Sequence, residues 1–334
     1  MIHPLYSPKE DRYTNGMKYR RCGKSGILLP EVSLGLWHNF GDVNPFSNSI
    51  RMAHFAFDSG ITHFDLANNY GPSYGSAEET FGQIMKKSLM PYRDELFIST
   101  KAGHDMWPGP YGDWGSRKYL MSSLHQSLKR MNLEYVDIFY SHRYDPATPL
   151  EETLQTLVDI VRQGKALYVG ISKYPKEAAA FAYQYLKERD TPCLLYQGRY
   201  NLFNREPEQE GLLQQAQEQG AGFIAFSPLA QGLLTDRYLN GIPADSRIAL
   251  GGFLKQEQLT EAVLLKIKRL NQLAGQRGQT LAEMALAWIL KDNSVTSVII
   301  GASSVEQMQD NLKGIQQTDF SSEELEAINN VLNG

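Results

Sequence analysis

Eight short, β-rich apolar runs punctuate this chain, at 32–37, 61–67, 96–101, 136–142, 166–172, 193–197, 222–227 and 297–301. Longer amphipathic stretches lie between them, among them 76–87, 117–131, 150–163, 176–188, 208–219 and 280–291. Strands that alternate with helical patterns form βαβ units and therefore a parallel sheet. Eight such repeats with no change of composition between halves favour closure into a barrel over an open doubly wound sheet. The expected fold is thus α/β, a (β/α)8 TIM barrel. Local punctuation agrees. Pro149 precedes a helical run that opens with Glu151 and Glu152, acids suited to the positive end of a helix dipole. Gly60 stands before the second run, as a helix-ending glycine should.

Outside the repeats, residues 17–30 read as an N-terminal β-hairpin with Gly23 and Gly26 at its turn. Residues 1–16 read as a polar extension, and 17–334 as a single domain. After the seventh strand comes a long loop, 231–253, with several glycines; loops of that length are functional or mobile.

Several function classes lose support at this level. Cys22 and Cys193 are the only two cysteines and form no C-x-x-C, so zinc and thioredoxin-like chemistry find no ligands, and two buried free thiols are expected. The chain has no G-x-G-x-x-G and no H-E-x-x-H. Gly23-Lys24-Ser25 mimics the end of a P-loop, but Lys18 stands where the upstream glycine is required. A net charge of −4 provides no basic footprint for nucleic acid. There is no apolar leader-like region at the start and no membrane-spanning run, so a reducing cytoplasm is the expected address and a membrane partner is not expected.

In a (β/α)8 barrel the catalytic groups project from the C-terminal ends of the strands. Reading those ends yields Asp65 with Tyr70 five residues later, then Lys101, then His142. Each alone has an ordinary reading: a turn residue, a packing aromatic, a solvated lysine, a structural histidine. In chain order, however, the four resemble the catalytic tetrad of the aldo-keto reductase superfamily. The resemblance runs from Tyr19 to about Leu312 and includes Gly60-Ile61-Thr62-His63-Phe64-Asp65, Glu78-Glu79, Phe226-Ser227-Pro228-Leu229 and Gly301-Ala302-Ser303. Gly35-Leu36-Trp37-His38-Asn39-Phe40 and the segment 105–112 are similar to the branch of bacterial L-glyceraldehyde 3-phosphate reductases, which is related to the β-subunits of voltage-gated potassium channels.

The tetrad makes chemical sense. Reduction of a carbonyl needs a hydride at carbon and a proton at oxygen. A phenol, with a pKa of about 10, is a weak acid at neutral pH. Lys101 beside it is expected to lower that value, with Asp65 keeping the ammonium charged. His142 would hydrogen-bond the carbonyl oxygen, and Tyr70 would be the general acid.

The resemblance further implies NADP(H) as cofactor. Ser172 and Gln197 would take the nicotinamide carboxamide, and Phe226 would stack on its ring. Ser227, Leu229, Gln231 and Leu233 would receive the pyrophosphate, with Arg247 as a basic contact in the long loop. Gly301, Ser303, Gln307 and Asn311 would hold the adenosine end, and Trp37 would contact both cofactor and substrate. Lys173 replaces an asparagine frequent in the family. Ser304 replaces an arginine frequent beside the 2′-phosphate, so NAD(H) stands as a weaker alternative. Trp37, Trp107 and the 107–115 loop are expected to wall the substrate pocket, with His38, Asn39 and Arg143 as polar contacts. The implied activity is NADPH-dependent reduction of small aldehydes, L-glyceraldehyde 3-phosphate and methylglyoxal first. A cofactor-sensing regulatory subunit with slow turnover is the alternative, and a lyase using a Lys101 Schiff base is a third reading. A homo-oligomer is compatible with all three, and no metal is expected.

Overall fold

A computed structural model describes residues 6–244, 246, 248–249, 251 and 254–334. Arg247, expected to touch the cofactor, lies outside the described residues. Two short strands, β1 (Tyr19–Arg21) and β2 (Leu28–Pro30), form the antiparallel hairpin. Eight more follow: β3 (Val32–Gly35), β4 (His63–Asp65), β5 (Phe97–Ala102), β6 (Val136–Ser141), β7 (Ala166–Ser172), β8 (Cys193–Arg199), β9 (Gly222–Phe226) and β10 (Ser297–Ile300). They close into one parallel barrel in the order β10-β3-β4-β5-β6-β7-β8-β9. All eight expected strands are therefore present, although β4 pairs over only three residues of the expected seven-residue run.

The connecting helices follow from their sequences. Leu150–Arg162 buries Leu154, Leu157, Val158 and Ile160 on one face, and carries Glu151 and Glu152 in its first turn. That spacing is the stripe a barrel-covering helix needs. Ser116, Thr280 and Ser321 each accept a hydrogen bond at a helix start, from the backbone N–H of Tyr119, Glu283 and Glu324. Such caps are worth about 1 kcal/mol each. One expected helix is corrected: 208–219 is broken by Gly211, whose φ of 77° ends the turn Glu206–Gln209 and starts Leu212–Gln219. The helix Glu261–Gln276 sits in the excursion between β9 and β10, and Ser322–Asn333 packs against it.

Two apolar layers result. The larger lies between barrel and helices. The smaller fills the barrel lumen, where Phe97, Ile138, Tyr140, Leu195, Ile224 and Ile299 meet Cys22 and Leu29 from the hairpin. The hairpin thus plugs the N-terminal end of the barrel. Its turn is held by the Lys24 N–H bonded to the Gly220 carbonyl at 2.9 Å. A Cβ on Gly23 would fall 2.1 Å from that same carbonyl oxygen, which is why the turn needs glycine. With the floor closed by apolar side chains, the charged groups inside the barrel collect toward the opposite, C-terminal end.

Candidate active site at the barrel mouth

Asp65 ends β4, Lys101 lies near the end of β5, and His142 follows β6. Neighbouring strands therefore bring these three together by register alone. Tyr70 needs more help, because it stands on a loop. The ladder extends past β4 through the Leu66 N–H to the Ser99 carbonyl and the Asn68 N–H to the Lys101 carbonyl, both 2.9 Å. The buried Asn68 amide then donates to Tyr119 Oη at 2.9 Å and Ser123 Oγ at 3.2 Å on the helix Arg117–Met131. The turn is finished by Gly71, whose N–H reaches the Trp37 carbonyl at 3.0 Å.

The four side chains meet around Lys101. Its ammonium, with no solvent exposure, donates to Asp65 Oδ2 at 2.7 Å, to the Leu66 carbonyl at 2.6 Å and to Tyr70 Oη at 3.2 Å. Asp65 Oδ1 accepts from Ser99 Oγ at 2.7 Å and from Gln197 Nε2 at 3.1 Å. The His142 ring stands edge-on to Tyr70 at 5.9 Å. On the outer face of β5, Thr100 donates to the fully buried Glu78, which Arg130 also binds at 2.8 Å. This pins the strand that carries Lys101.

Burial would strip a proton from Lys101, but Asp65 and Tyr70 outweigh it and hold its pKa above the usual lysine value. Tyr70 differs from the expectation. Burial raises its pKa, and Lys101 only opposes that rise, so the net shift is upward. The phenol therefore holds its proton, with the Lys101 ammonium 3.2 Å from its oxygen. His142 is driven well below the ordinary histidine range by burial first, then by the positive charges of Lys101 and Lys173. It is neutral, and its Nδ1 is buried without a partner among the described residues. A bare lone pair is cheaper to bury there than an N–H, so the ring proton belongs on Nε2, where it can donate to a ligand.

Basic groups ring the mouth. Lys173, at the end of β7 with φ 55°, has its Nζ 3.0 Å from His104 Nε2 and 5.9 Å from the Phe226 ring centre. Partial desolvation among the walls of the mouth, then Lys101 and Arg143, push the pKa of this solvent-reachable ammonium down to about 8. The His104 ring lies 4.6 Å from that of His142. Arg143 is tied down: it donates to the Gly103 carbonyl at 2.5 Å and to Asp113 at 2.7 Å, and stacks 3.5 Å above Trp114. It therefore clamps the 107–115 loop. Trp107 packs on Tyr119 at 5.1 Å, and Trp37 lies 6.1 Å from Tyr70. Asn39 donates to the Ala302 carbonyl at 3.0 Å, joining the ends of β3 and β10.

The residues expected at the cofactor surround the other half of the mouth. Ser172, Gln197 and Phe226 sit on β7, β8 and β9. Ser227, Leu229, Gln231 and Leu233 form the tight turn after β9, and Gly301, Ser303, Gln307 and Asn311 follow β10. Three of these hold buried polar atoms with no partner among the described residues: Ser172 Oγ, Gln231 Oε1 and Asn311 Nδ2. Ser304 has a task of its own, capping the helix Val305–Gly314 by accepting from the Gln307 N–H at 3.3 Å. Sequence reading passed over Ser99, His104 and Asn68. Ser99 had a signal, since it shares the inward face of β5 with Lys101 at period two; His104 and Asn68 had none.

A barrel of this order, with an Asp–Lys–Tyr–His cluster at its mouth, agrees with what comparison finds. The chain belongs to the aldo/keto reductase family, whose model matches residues 31–333. It is 57% identical over 316 residues to an L-glyceraldehyde 3-phosphate reductase of Escherichia coli strain K12, covering 93% of this chain and 91% of that protein. Over 305 residues it is 35% identical to an Arabidopsis thaliana protein named a probable voltage-gated potassium channel subunit beta, covering 90% of this chain and 91% of that one. A rice counterpart is 34% identical. The chain is accordingly an oxidoreductase. Among the described residues no helix is long and apolar enough to cross a membrane.

Proposed function

We propose that this oxidoreductase reduces short, polar aldehydes with NADPH, with Tyr70 as proton donor. L-glyceraldehyde 3-phosphate is the leading substrate and methylglyoxal the second. The observation that carries this reading is the Lys101 ammonium, buried and shared between Asp65 and Tyr70 Oη. When the carbonyl oxygen gains electron density, Tyr70 hands over its proton, and Lys101 stabilises the phenolate that remains. His142 donates from Nε2 to the same oxygen and orients it. Asp65 keeps the ammonium in place throughout. Burial of the site makes each of these charges act more strongly than in water.

NADPH, when bound, supplies the hydride. The residues present fit it: Ser172 Oγ, Gln231 Oε1 and Asn311 Nδ2 are buried and unpaired among the described residues, and such groups cost about 1–3 kcal/mol each until something pairs them. Ser172 and Gln197 would hold the carboxamide and Phe226 the ring face. Ser227, Leu229, Gln231 and Leu233 would hold the pyrophosphate, and Gly301, Ser303, Gln307 and Asn311 the adenosine end. NADH is a weaker alternative because Ser304 brings no positive charge. For the substrate, Lys173 and His104 beside His142 offer a cation and a donor for a phosphate one short carbon chain away from the reacting carbonyl. The name of the bacterial relative points the same way. The potassium-channel relatives support a second reading, a cofactor-sensing subunit with slow turnover.

Fluorescence titration with NADPH and NADH, followed by steady-state assays on a panel of aldehydes, separates these. Micromolar or tighter NADPH binding with the highest kcat/KM on a three-carbon aldehyde is expected. Binding without appreciable turnover on any aldehyde would favour the sensing subunit, and no binding of either nucleotide would end the reductase reading.

A further inference from the structure

Below the barrel mouth lies a second polar layer that no catalytic role has absorbed. His63, the first residue of β4, is fully buried in the lumen. Its Nδ1 lies 2.8 Å from Ser33 Oγ, and its Nε2 lies 3.1 Å from Ser99 Oγ. Ser33 Oγ in turn meets Ser297 Oγ at 2.6 Å, while Ser99 Oγ meets Asp65 Oδ1 at 2.7 Å. Four strands, β10, β3, β4 and β5, thus contribute one hydroxyl or imidazole each to an unbroken file that ends on the carboxylate holding Lys101.

The direction of every bond in this file follows from its Asp65 end and from a neutral imidazole in its middle. Asp65 has only acceptors, so the Ser99 hydroxyl donates to it. Ser99 then has a lone pair left for His63, whose Nε2 must carry the proton. Burial lowers the His63 pKa to about 4, more than Asp65 can restore, so the ring is neutral and holds one proton only. Nδ1 is therefore an acceptor, Ser33 donates to it, and Ser297 donates to Ser33. One tautomer satisfies all four residues. With the other tautomer, Ser99 would have to turn its hydroxyl toward His63, and Asp65 would lose one of its donors.

We propose that His63 is a positioning residue: locked in its Nε2–H tautomer by Ser33, it holds the Ser99 hydroxyl on Asp65 and so fixes the carboxylate that anchors Lys101 beside Tyr70. Resting on the reading of Tyr70 and Lys101 as the reacting pair, this assigns function to residues 33, 63, 99 and 297, all fully buried behind that pair.

The effect should be read in the pH profile. Tyr70 and Lys101 titrate as a pair, and activity falls at high pH when the pair loses its first proton. A loosened Asp65 supports the ammonium less, so that limb should move to lower pH. We expect His63→Leu to lose about tenfold in kcat, to shift the basic limb down by about one unit, and to leave the NADPH Kd unchanged. His63→Gln, whose amide can donate at one end and accept at the other, should recover most of both. Ser33→Ala provides a second route that leaves the imidazole in place: it removes the donor that locks the tautomer, three hydrogen bonds away from Asp65, and should move the limb in the same direction. A His63→Leu protein that melts lower yet keeps kcat and the limb of the parent, or a Gln variant as impaired as the Leu variant, would overturn the proposal. If His63→Leu does not fold, an unmoved limb in Ser33→Ala overturns it alone. Tyr70→Phe belongs in the same series: retained turnover there would remove the reacting pair itself, whereas lost turnover with an unmoved limb in the His63 and Ser33 variants sinks only the role of His63.

Discussion

The two halves of the barrel mouth are built on opposite rules. On the side of β4, β5 and β6, the charged groups are satisfied from within. Asp65 receives bonds from Ser99, Gln197 and Lys101, and Lys101 gives bonds to Asp65, Leu66 and Tyr70. On the side of β7, β9 and β10, buried polar atoms of Ser172, Gln231 and Asn311 have no partners among the described residues. There the backbone is strained too, with φ of 53° at Ser227, 46° at Ala230 and 60° at Gln231, none of them glycine. Strain and unpaired groups persist at sites where an outside molecule completes them. The Asp65–Lys101–Tyr70 cluster is preorganised, although His142 Nδ1 beside it is also without a partner among the described residues, and the receiving side has no such paired cluster.

Substitutions on the two sides should therefore fail differently. The largest effect belongs to the reacting side. Both Tyr70→Phe and Lys101→Met should cut reduction by about 10²–10⁴-fold, the range for losing a positioned acid. Chemical denaturation should tell them apart: Tyr70→Phe leaves stability nearly intact, whereas Lys101→Met strands the buried Asp65 and costs about 3–5 kcal/mol. A Tyr70→Phe enzyme near parental turnover would mean that another acid serves. An equally stable Lys101→Met protein would mean that this side is less tightly paired than its bonds suggest.

On the receiving side the sign for stability reverses. Ser172→Ala removes a buried hydroxyl with no partner among the described residues, so the free protein should be as stable or slightly more stable, since an unpaired buried polar group costs about 1–3 kcal/mol. Its NADPH Kd should rise about fivefold, the worth of one neutral hydrogen bond of about 1 kcal/mol. Thermal melts with and without NADPH provide both readings. A Ser172→Ala protein that loses stability without cofactor would contradict the comparison.

The smallest effect is at Ser304. Placing a cation there by Ser304→Arg should tighten NADPH several-fold and leave NADH almost unchanged, because a guanidinium can bind phosphate with two hydrogen bonds. Ser304 also caps the helix Val305–Gly314, so the same change should cost about 1 kcal/mol of stability. Equal shifts for both nucleotides, measured by titration, would move the source of selectivity elsewhere.

Much of this architecture was legible in the sequence. Period-two apolar runs and 3.6-residue stripes are local signals, and eight alternations of them leave few folds other than a parallel barrel. The site was legible for a related reason: in such a barrel adjacent strand ends are adjacent in space, so Asp65, Lys101 and His142 could be brought together on paper. Tyr70 came with them through resemblance, although its placement depends on Asn68 and Tyr119, residues that carry no sequence signal.

What the chain could not disclose is the balance of burial against charge at each group. Residue types alone predicted that Lys101 would lower the Tyr70 pKa; Lys101 does act in that direction, but desolvation of the half-buried phenol outweighs it and the net shift is upward. Arg143, read from residue type as a substrate contact, is also tied to Asp113 and stacked on Trp114, and Ser304, read as a neighbour of the 2′-phosphate, also caps a helix. His63 and Ser99 looked like ordinary strand residues until Ser33 and Ser297 arrived from distant strands. Periodicity and residue type act over a few neighbours and can be read along the chain. Desolvation and hydrogen-bond partnership depend on which atoms arrive from elsewhere, and only the closed barrel decides that.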